Sequence, residues 1–182
     1  MKKLLLLTAT GLLFLSCKKE LVENQNEKTE LTKKASDVAG RSNGATQVSG
    51  ISYFDAADAC NSAGQGATFA LTLEGDLTGC WYIFIEEFDC SPSGTYRESG
   101  TELFVGTYMG KEGSFRTDYR FEGKYEGCAE DGSYIGAEIF GRCQHPIIEG
   151  SGEGVFEGVS GRFDFKDDIA AGNFPYRGHL RY

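Results

Sequence analysis

Three prolines, one tryptophan, two histidines and two methionines are all that 182 residues hold of these types, and the shortages narrow the chemistry. With only His145 and His179, and no C-x2-C pair, a zinc centre on the usual spacings has no ligand set. Neither histidine sits in a motif beside a nucleophile and an acid, so hydrolase chemistry has no support and each reads as a surface or rim residue. Long apolar runs are as scarce. The single one, Leu4–Leu15, has 12 residues against the roughly 20 of a bilayer-spanning helix, and nothing after residue 17 predicts such a helix. Positive charge is short where it counts: from residue 48 onward ten Lys plus Arg face 22 Asp plus Glu. That field repels phosphate backbones and anionic headgroups, so nucleic-acid binding and electrostatic membrane docking are disfavoured, and any steered partner is neutral or cationic. The run Gly150-Ser-Gly152-Glu-Gly154 lacks the spacing of a phosphate cradle and lies among Glu149, Glu153 and Glu157. Asp164, Asp167 and Asp168 lack calcium-loop spacing and enclose Lys166, so they read as a solvated turn. No metal or cofactor is expected.

The beginning of the chain is more informative. Lys2 and Lys3, the apolar run, then Ser16 and Cys17 resemble a bacterial lipoprotein signal, although Phe14 and Leu15 depart from the usual lipobox. Cleavage before Cys17 would remove residues 1–16 and leave an acylated cysteine as a membrane anchor. Residues 17–47 then form a lipidated, flexible linker with few large apolar side chains, too polar to fold alone. Residues 48–182 form one domain. Lys18, rather than Asp, after Cys17 is compatible with outer-membrane sorting, which places the protein in the cell envelope, outside the cytoplasm.

Setting Cys17 aside leaves Cys60, Cys80, Cys90, Cys128 and Cys143. Outside the cytoplasm thiols pair, so two disulfides and one spare thiol are expected, with spacing unable to assign the partners. Cys80, Cys90, Cys128 and Cys143 are the favoured disulfide candidates and Cys60 the spare. Cys80 and Cys90 bonded to each other would need a bend, because an extended strand holds them about 30 Å apart while a disulfide needs Cα atoms about 6 Å apart.

Residues 48–182 contain 22 glycines and no stretch of helical periodicity, while period-two alternation recurs. From Phe115 to Tyr125, Phe115, Thr117, Tyr119, Phe121, Gly123 and Tyr125 share one face and Arg116, Asp118, Arg120, Glu122 and Lys124 the other. Trp81 to Phe88 is apolar on both faces until Glu86, as in a strand covered on both sides. Other strands are expected over Val48–Phe54, Ala67–Glu74, Tyr96–Tyr108, Ser133–Arg142, Gly154–Phe165 and Phe174–Tyr182, about eight in all. Trp81, Ile83, Phe115, Tyr119 and Phe121 are candidates for a core or for a pocket wall. Short turn segments such as Gly110-Lys-Glu-Gly113 and Glu130-Asp-Gly132 imply antiparallel neighbours and an up-and-down meander. Alternation alone leaves sandwich and barrel open. Aromatic-x-Gly steps, at Phe104–Gly106 among others, read as rings covering strand glycines.

Three segments in order, Gly75–Gly79, Gly100–Phe115 and Ile148–Phe165, resemble the allene oxide cyclase-like barrel proteins, a calycin-type group with many bacterial secreted members. The third, with Gly150, Gly152, Gly158, Gly161 and Phe163, is the most specific, and the resemblance covers residues 67–182. It implies a closed antiparallel barrel of about eight strands, whose interior is either filled or holds one small ligand. It also implies, as one option, an isomerase or cyclase acting on a lipid-derived or polyene substrate with help from a carboxylate. Glu86, or its neighbour Glu87, is the candidate carboxylate, because a carboxyl facing a barrel interior is desolvated. The favoured expectation is a non-catalytic, lipid-anchored barrel that binds a small apolar ligand or an envelope partner.

Overall fold

A computed structural model describes residues 44–182. The signal segment, Cys17 and the linker up to residue 43 lie outside the described residues. The strands are β1 (Thr46–Phe54), β2 (Phe69–Gly75), β3 (Leu77–Cys90), β4 (Thr95–Tyr108), β5 (Lys111–Cys128), β6 (Tyr134–Pro146), β7 (Glu153–Gly154), β8 (Ser160–Lys166) and β9 (Phe174–Arg181). Every pairing is antiparallel. Eight strands run in the circular order β1-β2-β3-β4-β5-β6-β8-β9, with β9 returning to β1 and the short β7 outside the circle on β5. The meander closes into a barrel. Sandwich packing is thereby excluded, and no strand of the circle keeps a free edge. Among these residues no helix is long and apolar enough to cross a membrane.

Alternation dictates which face turns inward. Phe115, Thr117 and Tyr119 on β5 are buried while Arg116, Asp118 and Arg120 are exposed. Trp81, with no exposed surface, sits at the centre of the core. Phe104, Phe115, Phe163 and Phe165 surround it with ring centroids 5.2–5.8 Å away. Truncating such a side chain costs about 3–5 kcal/mol, so this cluster is the main apolar support of the fold. Ring-covered glycines occur as expected. A Cβ on Gly106 would lie 2.7 Å from the Phe104 ring, and one on Gly178 would lie 2.5 Å from Phe163.

Three details differ from the sequence expectation. The barrel begins at Thr46, because β1 reaches two residues further to pair with Leu180 and His179 of β9. The strand expected over Gly154–Phe165 is broken into β7 and β8. Gly154 and Gly158 both have positive φ, and the turn between them drops Phe156 and Val159 into the barrel end. There Phe156 meets Phe104 and Phe115 at 5.7 and 4.9 Å and closes that end. The third difference concerns cysteine. Cys60 is paired with Cys80 and Cys90 with Cys128, so Cys143, not Cys60, is the free and buried thiol. Cys80 and Cys90 both lie on β3 and take different partners, as extended geometry requires. Cys143 is held away from the others because it faces inward on β6.

The two bridges have separate structural tasks. Cys60–Cys80 pins the β1–β2 connection to the outer face of β3, where Cys60, Ala70 and Tyr82 form a small second core. The Tyr82 hydroxyl also donates to the Cys60 carbonyl at 2.9 Å. That covering explains why β3 is apolar on both faces. Cys90–Cys128 crosses the tip of the β3–β4 turn and joins β3 to β5 beyond the start of β4. Its 38-residue loop predicts that Cys90→Ser/Cys128→Ser lowers unfolding free energy by about 4 kcal/mol, read as a lower urea midpoint at neutral pH.

Candidate functional site

With Phe156 and Val159 filling one end, the opposite end holds a cavity of 640 Å³. That volume is within the ordinary range for small-molecule sites. Its walls divide by strand. Phe54 of β1, Phe69 and Leu71 of β2, Ile83 and Ile85 of β3, and Phe174 of β9 supply a wholly apolar half. Facing them, β4, β5, β6 and the residue after β8 supply Glu98, Glu102, Tyr96, Tyr119, Tyr125, Glu138, His145 and Asp167, together with Phe121, Cys143 and Phe165. A two-sided cavity results.

The deepest polar group is Glu102, only 2% exposed. One of its carboxylate oxygens, Oε2, accepts from the Thr117 hydroxyl at 2.5 Å and lies 2.6 Å from His145 Nδ1. That contact commits Nδ1 to Glu102 and leaves Nε2 as the ring nitrogen that can meet another group. His145 Nε2 has no partner although the side chain is 5% exposed. The ring is fixed by Phe165 at 4.5 Å and by Trp81 at 5.7 Å. Buried polar groups are normally satisfied, so this atom at the cavity wall is a hydrogen-bonding position open to whatever fills the chamber, water or a ligand group.

One turn of alternation further along β4, Glu98 accepts from Tyr96 at 2.8 Å and from Tyr119 at 3.2 Å. Burial raises its pKa, partly offset by those two hydroxyl donors, and the Glu102 charge adds to the rise. The same burial pushes the Tyr96 and Tyr119 phenols far up, so both remain donors at any physiological pH. At the rim, Asp167 is pushed up to about 8 by burial, then by its hydrogen bond with Glu138 and that group's charge. The protonated Asp167 carboxyl is the donor in that hydrogen bond. Cys143 lines the same wall, and burial, followed by the Glu102 and Glu98 charges, lifts its thiol well above the ordinary range, leaving little reactive thiolate.

Of the residues singled out from sequence, Ile83, Tyr119 and Phe121 line the cavity, while Trp81 and Phe115 belong to the core beneath it. Glu86 does not face the interior. Its parity on β3 is opposite to that of the inward Trp81, Ile83 and Ile85, so it turns outward, where it is exposed and accepts from the Thr101 hydroxyl at 3.3 Å; the bulge at this point turns Glu87 outward too. The inward carboxylates are Glu98 and Glu102, which the sequence reading passed over. Their signal was present: Tyr96, Glu98, Gly100, Glu102, Phe104 and Tyr108 share one parity on β4, so both glutamates ride the aromatic face. His145 is likewise corrected from rim to interior, since it follows Cys143 by two on β6 and shares its buried face. His179 is half-buried on β9, close to its expected surface position. The three aspartates after β8 separate. Asp164 pairs outward with Arg162, Asp168 accepts from the backbone N–H of Ala171 within its turn, and Asp167 turns into the cavity rim.

Fold and site together define a small closed antiparallel barrel, plugged at one end, with a single-chambered, half-apolar and half-acidic cavity at the other. No protein-family model matches the chain, and neither a curated protein nor a solved structure does.

A raised carboxyl pKa makes a signed prediction. Asp167 keeps its proton in the folded barrel up to about pH 8, whereas the unfolded chain releases it near its ordinary value of 3.8. The folded state therefore binds more protons between these values, and the contribution is full below pH 4 and lost as pH rises through 8. Thermal melts of wild type and Asp167→Asn should diverge in that sense. The stability of wild type relative to the variant falls from pH 4 to pH 9, and a difference independent of pH would refute the buried, protonated position.

Proposed function

We propose that the barrel is a binding protein for one small, largely apolar molecule, which enters at the open end and lies between the apolar and polar halves of the cavity. The observation that carries this reading is the 640 Å³ chamber itself, open at one end and lined by Phe54, Phe69, Leu71, Ile83, Ile85 and Phe174. An eight-stranded barrel often fills its interior with its own side chains, and here the filling stops at Trp81 and Phe165. The calycin-type resemblance of residues 67–182 fits the same reading. In it, the barrel is carried in the cell envelope by an acylated Cys17 on the linker that leads to β1, on the outer membrane and outside the cytoplasm.

A second reading, an isomerase or cyclase for a lipid-derived or polyene substrate, draws on one observation: His145, held by Glu102 through Nδ1, keeps a buried Nε2 without a hydrogen-bond partner at the cavity wall. An imidazole held this way can carry a proton between two positions of a substrate in the chamber. Binding is favoured as the main reading because no nucleophile or second acid is aligned with that nitrogen among the described residues.

Native mass spectrometry of the protein purified from its own envelope should find one small molecule per chain. Leu71→Trp, which fills the chamber from β2, should weaken its retention by about tenfold or more. An empty wild-type chamber that also takes up no apolar probe would sink the binding reading, while recovery of a chemically altered probe would favour the second. The anchor has its own check. Cys17→Ser should move the protein from the membrane fraction to the soluble fraction, and unchanged membrane association would contradict acylation at Cys17.

A further inference from the structure

The cavity carries four carboxyl groups, Glu98, Glu102, Glu138 and Asp167, and no lysine or arginine lines it. Arginine ion pairs among the described residues lie elsewhere: Arg97 and Arg142 hold Glu122, and Arg162 holds Asp164. An anionic headgroup inside the chamber would meet only like charge. The donors on this wall are already committed: the Tyr96 and Tyr119 hydroxyls go to Glu98 and the Thr117 hydroxyl to Glu102. The carboxyl oxygens keep further acceptor capacity, and a donor-bearing cation meets it. Aromatic rings add to the preference. Tyr96 packs edge-on against Tyr125 and Tyr134 at 5.9 and 5.1 Å beside the carboxyls, and ring faces attract cations.

Resting on the apolar-ligand reading above, we propose that the ligand is an amphiphilic amine: a protonated ammonium on an apolar body. Its N–H groups turn to the β4–β5–β6–β8 half and its carbon skeleton to the β9–β1–β2–β3 half. The ammonium brings N–H donors and positive charge to the carboxyls and leaves the apolar half to hydrocarbon. Charge of this sign also suits the whole domain, in which acidic residues outnumber basic ones 22 to ten from residue 48. An incoming cation is steered toward such a surface.

Proton linkage follows from the site. Asp167 faces Glu138 and Cys143 on β6 and Tyr125 on β5, with Glu98 and Glu102 of β4 and His145 of β6 further into the same chamber. A bound ammonium favours the ionised form of Asp167, so binding expels its proton and tightens as pH rises toward 8.

The test uses the full chain carrying Cys17→Ser, which needs no detergent, and three probes with one eight-carbon body: octylamine, 1-octanol and octanoate. Calorimetric titration should give octylamine about tenfold or more tighter binding than 1-octanol at pH 7.5, with octanoate weakest. Octylamine stays protonated between pH 6 and 8.5, its amine titrating near 10.4 like a lysine, so its affinity should rise across that window and that of 1-octanol should not. Binding of 1-octanol or octanoate as tight as that of octylamine would overturn the amine assignment and leave the apolar cavity standing. Failure of all three to bind would overturn both.

Discussion

β1 pairs with β9 over seven residues, from Thr46 opposite Leu180 to Ser52 opposite Phe174, and this ladder joins the first strand of the domain to its last. Without it the sheet would end in two long edges, and the interior would be a surface. With it, inward residues from all eight strands face a common volume, and their total size decides how much of that volume is left. At one end the answer is none, because the β6–β8 connection folds Phe156 and Val159 inward over Phe104 and Phe115. At the other, the connections pass outside the barrel and leave a chamber. Closure is also the least local contact of the fold. Ser52 donates to the Phe174 carbonyl across 122 residues of chain, and loss of the ladder would open everything it encloses.

Disulfides protect the open end, where no plug exists. Cys60–Cys80 holds the longest connection against β3, and Cys90–Cys128 ties β3 to β5 at the rim. Both act on strands that line the cavity. Rigidity there lets Glu102 keep its two short contacts, whose loss would leave a buried carboxyl without partners. The cost of dehydrating Glu98, Glu102, Glu138 and Asp167 is met by tyrosine hydroxyls, a threonine, a histidine and the proton that Asp167 keeps. It is not met by cations. A wall short of positive charge suits a ligand that brings it.

Strand positions were legible because alternation is local. Phe115 to Tyr125 shows its inward face in the residue types alone, and the apolar pair of faces on Trp81 to Phe84 anticipated a cover that the Cys60 segment supplies. Less legible was Glu86 against Glu102. Both follow or flank apolar stretches, and Trp81 to Ile85 is apolar on both faces, so residue types alone do not show that Glu86 has the outward parity; the bulge then turns Glu87 outward as well and leaves no reliable mark in the sequence. His145 was misplaced for a related reason. Its neighbours Gln144 and Pro146 are exposed, and only its parity with Cys143 betrays the inward face.

Composition and periodicity by themselves determined that residues 48–182 form an antiparallel all-β domain with a strongly acidic balance and two disulfides, because those properties depend on residue type and neighbours two positions away. Which cysteines pair, which glutamates turn inward and where the interior remains empty were decided only by tertiary structure. Each depends on register across strands far apart in the chain, and shifting register by one residue exchanges the inside of a barrel with its outside.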